Sequence, residues 1–332
     1  MRNVLAVLAA LAVAALAPAA SGQGTAYRVI ERVAGPDGGW DYVRVDPAAG
    51  RVFVTRGTSV MALELKTGRL VEGLAPGVRL HIALPVNGGR EILVTNGGSD
   101  SVAFADARTG AVLARTPTGK GPDAATFDPR SSLVLVMDHA AGDVTLVDPR
   151  TRKAAGSVQI GGALEEASVD GKGLGFVNVE SAGEVAVIDI AGRKVLRRIK
   201  LDGCEGPTGS AYDAQDRLLL VACQGATALV DPGAGKVVQT LPTGQGADGV
   251  VYDPVRRLAF TPAGRDGTLS VIAIEKGRGR IVQTLETQKG ARTLALDERT
   301  GRIYLPSAQY TVADGRFSIV PGTFHILVVG RQ

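Results

Sequence analysis

The chain has 332 residues and a formal net charge of +4, and its basic residues are scattered, with short runs only at 193–200 and 276–280 beside turns. That distribution offers no patch for a nucleic-acid backbone. Three histidines and two cysteines exclude a His-rich copper cluster, and no Cys-x-x-Cys-His for covalent haem is present.

The first predicted segment is a secretory leader over residues 1–22. Arg2 gives a positive start, residues 4–17 are apolar, and Pro18-Ala19-Ala20-Ser21-Gly22 offers small residues for cleavage. The apolar run is shorter than the ~20 residues a membrane helix needs. No later run is long enough to span a bilayer, so the expected product is exported, periplasmic or secreted, and one charge less positive once Arg2 is removed.

A lone strand follows at Tyr27-Arg28-Val29-Ile30-Glu31-Arg32-Val33. Beyond it the sequence repeats at a spacing of about 42 residues, each unit being an apolar run, a turn (often Asp-Pro) and a second apolar run. The turns align at Asp46, Pro85, Asp128, Asp170, Asp213, Asp253 and Asp297. In the fifth unit the pattern predicts strands over 210–212, 217–223, 226–230 and 236–241, separated by turns such as Asp231-Pro232-Gly233-Ala234-Gly235. The second strand recurs at 51–55, 91–95, 133–137, 174–179, 257–261 and 302–305. It is apolar on both faces, which requires a sheet covered front and back. The last unit supplies three strands and then the chain ends, while the segment at 27–33 reads as its missing fourth. Four-stranded antiparallel sheets repeated radially predict an all-β, seven-bladed β-propeller, a single domain over 23–332 closed by the N-terminal strand. The length of the repeat and its hairpin turns disfavour a parallel β-helix.

Val52-Phe53-Val54-Thr55 and Ile92-Leu93-Val94-Thr95-Asn96, with Thr67-Gly68-Arg69 and Thr109-Gly110-Ala111, resemble the repeats of YVTN-repeat β-propeller proteins. The resemblance covers essentially the whole mature chain. It weakens in later repeats, where Asn178-Val179-Glu180, Ala222-Cys223-Gln224 and Leu305-Pro306-Ser307 replace the Thr-Asn ending. It implies a seven-bladed ring, often in secreted or cell-surface proteins, and no single activity.

Function is expected at one end of the central channel. Five residues before each aligned turn lies a column formed by Asp41, Leu80, Asp123, Glu165, Thr208, Asp248 and Arg292, with Trp40, Arg79, His81 and Glu166 beside it. Such a polar collar can bond loop amides and face water, or converge on a ligand. Hard cations such as Ca²⁺ take several oxygen ligands, and Asp123 with Glu165 is the expected pair. No other cofactor is called for. On the same face, residues 307–323 form a long insertion carrying Gln309, Tyr310, Asp314, Arg316 and Phe317. Cys204 and Cys223 map to one end of the fifth repeat, where they form either a disulfide or two reduced, partly buried thiols.

Two functional readings follow. One is an exported, monomeric binding or scaffold protein whose channel mouth and 307–323 loop contact a protein, glycan or small ligand. Its candidate contacts are Asp41, His81, Asp123, Glu165, Asp248, Arg292 and Tyr310. The other is a lactonase-like propeller hydrolase with a divalent cation held by the mouth's acids. Neither a Gly-x-Ser-x-Gly elbow nor a phosphate-binding Gly-Lys-Ser/Thr loop is present, so binding is favoured and no catalytic residue is assigned.

Overall fold

A computed structural model describes residues 26–313 and 316–331. The expected leader and Asp314 lie outside the described residues, as do the side chains of Arg316 and Phe317.

The described residues form an all-β fold of antiparallel sheets, as a β-propeller does. Five sheets have four strands each and one has seven. The larger sheet arises because the 17-residue strand Leu70–Val86 serves two neighbours. Its beginning pairs with Gly57–Glu64 and its end with Glu91–Asn96. At the other extreme of the chain, Arg28–Ala34 pairs antiparallel with His325–Gly330. The insertion folds as a two-stranded ribbon, Tyr310–Ala313 against Arg316–Ile319.

The repeated aspartates have a local role. Asp46 Oδ1 accepts hydrogen bonds from the amides of Ala48 and Ala49, both at 3.0 Å. Asp128, Asp253 and Asp297 bond the turns after their own strands in the same way. Each carboxylate satisfies amides that the reversal would otherwise orphan, and so fixes where a first strand ends and a second begins. One expectation needs correcting. Val86, not Pro85, pairs with Glu91 as Asp46 pairs with Arg51, so the second repeat lies one residue later than aligned. A short 3-10 turn at Asn87–Gly89 replaces the Asp-Pro signal there.

The second strands are enclosed, and Leu218–Cys223 is buried at every position. Outer strands such as Lys194–Lys200 are mostly exposed. The core therefore lies between sheets rather than within one. Phe53, Phe104, Phe176, Phe260 and Phe324 are each under 2% exposed and wedge between neighbouring sheets. Each such burial contributes about 1.5–3 kcal/mol. One cluster joins Val54 and Met61 from the start of the chain to Tyr304 and Ile326 from its end.

The first strands touch in succession. Contacts run from Val43–Asp46 to Leu70–Val86, Pro122–Asp128, Leu164–Val169, Ser210–Asp213, Val251–Asp253 and Ala295–Asp297, and the last touches Val43–Asp46 again. At one junction the approach requires glycine. A Cβ on Gly209 would lie 2.4 Å from the Cα of Gly249.

Candidate functional site at the channel mouth

Backbone bonds between adjacent first strands position the collar. Tyr42 N donates to the His81 carbonyl, Glu166 N to that of Thr208 and Asp248 N to that of Arg292, each at 3.1 Å. Threonines of the preceding repeat reinforce this. Thr55 Oγ1 donates to His81 O at 2.6 Å, and Thr95 Oγ1 to Asp123 O at 2.7 Å. Asn178 Nδ2 does the same for Thr208 O at 2.8 Å. The threonine of the Val-Thr motif is thus a peg from one repeat into the collar residue of the next.

With the second repeat shifted by one, the column reads Asp41, His81, Asp123, Glu165, Thr208, Asp248, Arg292. Leu80 turns away and is buried in apolar surroundings. The charged members compensate one another. His81 Nδ1 lies 2.7 Å from Asp41 Oδ2 and 2.8 Å from Asp123 Oδ1. Arg292 spans Asp248 at 2.9 Å and Asp41 at 3.3 Å. His139 Nδ1 is 3.1 Å from Glu165. Asp123 and Glu165, expected as one pair, are therefore each held by a different histidine.

Burial and pairing compete at these groups. Burial would lower the His81 pKa, but its hydrogen bonds to Asp123 and Asp41 outweigh it and lift the value to about 10. The Glu165 hydrogen bond raises His139 to about 9. Both histidines are cations at neutral pH. Desolvation pushes Glu165 to about 7 and Asp248 to about 6, against the pull of His139 and Arg292 respectively. Two sets of side chains bring potential metal-ligating atoms within 4.8 Å of one another: Asp41, His81, Asp123 and His139, Glu165, Glu180. In the first, His81 Nδ1 bonds both carboxylates, so a cation there would displace the imidazolium proton.

Arg44 forms an ion pair with Glu166, bridging Val43–Asp46 and Leu164–Val169, two first strands that are not neighbours. Glu166 also accepts the Ser210 amide at 3.2 Å. Buried Tyr42 lies beside them, its guanidinium neighbour Arg44 5.4 Å from the ring centroid. Desolvation, with the charges of Asp123 and Glu166, holds the Tyr42 phenol far above its usual range.

Above the collar is a cavity of about 870 Å³. Glu165, Thr208, Asp248 and Arg292 form part of its wall, and Tyr310 of the inserted ribbon forms another part. The Tyr310 ring lies 5.8 Å from Trp40, whose ring in turn sits 5.9 Å below the Arg292 guanidinium. Asp41, His81 and Asp123 stand outside this cavity, in the ion-paired part of the collar. Sequence reasoning missed Glu180, Gln224, Arg265 and Lys289, which also line it. Their signal was available, since they fall where a second strand turns into a third or just before a first strand. Cys204, ahead of Ser210–Asp213, and Cys223, at the end of Leu218–Cys223, are joined as a disulfide with Cα atoms 5.3 Å apart.

Residues 32–173, less than half of the chain, match the family of outer membrane protein assembly factor BamB. No curated protein matches the chain by sequence. Among solved structures the fold is similar to Kuenenia stuttgartiensis hydrazine synthase, with a TM-score of 0.71 and 15% identity over 85% of this chain and 95% of that one. It is also similar to a chain of a mitotic checkpoint complex, with a TM-score of 0.72 and 13% identity over 97% and 98%. At such identities the likeness concerns the fold, that of a β-propeller, and no activity. No helix among the described residues is long and apolar enough to cross a membrane.

Proposed function

We propose that this chain is an exported, seven-bladed propeller of the YVTN-repeat kind that binds a ligand or partner at its channel mouth. The blade count rests on treating Leu70–Val86 as two strands, which divides the large sheet into two units of four and three-plus-one strands. The pairing of Arg28–Ala34 with His325–Gly330 supports closure. A disulfide between Cys204 and Cys223 favours an oxidising compartment.

The observation that carries the reading is the collar opening into the 870 Å³ cavity, within the size range of small-molecule sites. A general base needs a free lone pair near neutral pH. His81 and His139 hold their protons against carboxylates and do not meet that need, whereas Glu165 and Asp248, lifted by burial to about 7 and about 6, come nearest to it. The lactonase-like alternative is favoured by one observation, the Asp41, His81 and Asp123 trio, and it predicts stoichiometric divalent metal in the purified protein together with lactone hydrolysis.

Site-specific photo-crosslinking discriminates between the mouth and the opposite end. A crosslinking residue at Tyr310 is expected to trap ligand or partner in the cell. The same residue at Val255, 76% exposed in a turn at the other end of the sheets, is expected to trap none. Adducts from Val255 alone, or from neither position, would remove the mouth as the binding surface.

A further inference from the structure

The cavity has two unlike ends. At one end Glu180, which follows the strand Leu174–Val179, makes no side-chain hydrogen bond and no ion pair among the described residues. Its carboxylate stands within 4.8 Å of potential ligand atoms of both Glu165 and His139, so two acids face one imidazolium. At the other end Arg265 and Lys289 are exposed and, among the described residues, reach no carboxylate within ion-pair distance, while Arg292 is already engaged by Asp248 and Asp41. That end carries an excess of positive charge. Between the two lies Gln224, whose buried Oε1 has no hydrogen-bond donor. An orphaned amide oxygen of this kind costs free energy until a donor arrives.

We propose that the cavity takes a dipolar ligand, a short peptide with free termini, its ammonium group beside Glu180 and its carboxylate beside Arg265 and Lys289. This rests on the mouth being a binding site and adds the chemistry of the occupant. Gln224 Oε1 would accept an N–H from the ligand backbone. A purely anionic ligand would leave Glu180 and Gln224 unanswered, and a purely cationic one would leave Arg265 and Lys289 so. Uncharged glycans would satisfy the amide oxygen but neither charged end.

The test uses the purified full mature chain and trialanine as probe, measured by calorimetric titration. Trialanine is expected to bind, and N-acetylation or C-amidation each to weaken it about tenfold, as loss of one charge-assisted contact does. Glu180→Gln should erase the penalty of acetylation while leaving that of amidation. The double variant Arg265→Gln, Lys289→Gln should do the reverse. Arg265 and Lys289 are exposed, Glu180 is half-buried, and none of the three has an ion pair among the described residues, so unchanged melting curves are expected and serve as the folding control. Trialanine failing to bind at millimolar concentration would overturn the proposal, as would equal affinity for the doubly blocked peptide. Inorganic phosphate or acetate binding as tightly as trialanine, with sensitivity to the Arg265 and Lys289 changes, would overturn the dipolar occupant yet leave the mouth as a binding site.

Discussion

At the scale of single residues, the collar was legible wherever an Asp marked the turn five positions later. It slipped by one residue where Asn87–Gly89 replaced that signal, and so pointed to Leu80 rather than His81. Not legible was which acid would meet which base, because His81, Arg292 and His139 reach partners that sequence spacing cannot rank. The same holds for a buried pair the repeat gave no reason to single out. Asp138 sits opposite Asp143 across adjacent strands, and each has an oxygen without a donor. Desolvation, with the Asp143 charge and against the Thr145 hydrogen bond, lifts Asp138 to about 7. Its folded pKa thus exceeds the unfolded value of about 3.9, so its contribution to stability is greatest below that lower value and falls as pH rises towards 7. Asp138→Asn keeps the shape, removes the charge and offers an N–H to Asp143. The variant is expected to be more stable than the parent by about 1–3 kcal/mol at pH 8, with the gap narrowing towards pH 5. Parallel melting temperatures for the two proteins across that range would show that Asp138 titrates as an ordinary surface aspartate.

At the scale of elements, strand existence was readable from apolar runs bounded by Gly, Pro and Asp, and boundaries moved by a residue or two. The second strands gave the strongest signal because burial on both faces leaves few polar positions; every residue of Leu258–Ala263 is buried, Thr261 included. The fusion of an outer strand with the next first strand in Leu70–Val86 was not readable, since Pro76-Gly77 looks like an ordinary break. Nor was the role of the motif threonines, which act between elements rather than within one. Thr95 accepts the Ile82 amide at 3.0 Å and donates to Asp123 O at 2.7 Å, and is fully buried. Thr95→Val preserves volume but strands a buried donor and an acceptor. The expected loss is about 2–3 kcal/mol, read as a melting temperature lower by roughly 4–10 °C. Thr67→Val, in an exposed turn, should change it by far less. A loss at Thr95 no larger than at Thr67 would mean that the sheets do not depend on these pegs.

At the scale of the whole molecule, the legible feature was arithmetic: a last repeat one strand short and a strand to spare at the beginning. Chain order says nothing about how such pieces meet, and the pairing of Arg28–Ala34 with His325–Gly330 is read from the structure alone. The joint is more than a ladder of backbone bonds. Buried Tyr27 packs edge-on against Phe260 at 5.0 Å, and its backbone N–H donates to Gln283 Oε1 while its carbonyl accepts from Gln283 Nε2, tying the first described residues to the sixth repeat as well as the seventh. Deleting residues 27–33 would uncover the edge of His325–Gly330, nearly all of it core. The expected consequence is a loss of at least about 3–5 kcal/mol from lost apolar burial, with aggregation at the exposed edge. Destabilisation alone would not distinguish closure from the loss of any packed strand. Because the pairing is antiparallel, the same segment can instead follow residue 332 through a short hairpin. Moved there, it should restore the melting temperature and solubility of the parent if the strand's place in the last sheet is what matters. A deletion that melts like the parent, or a relocated strand that restores nothing, would show that the two ends do not share a sheet.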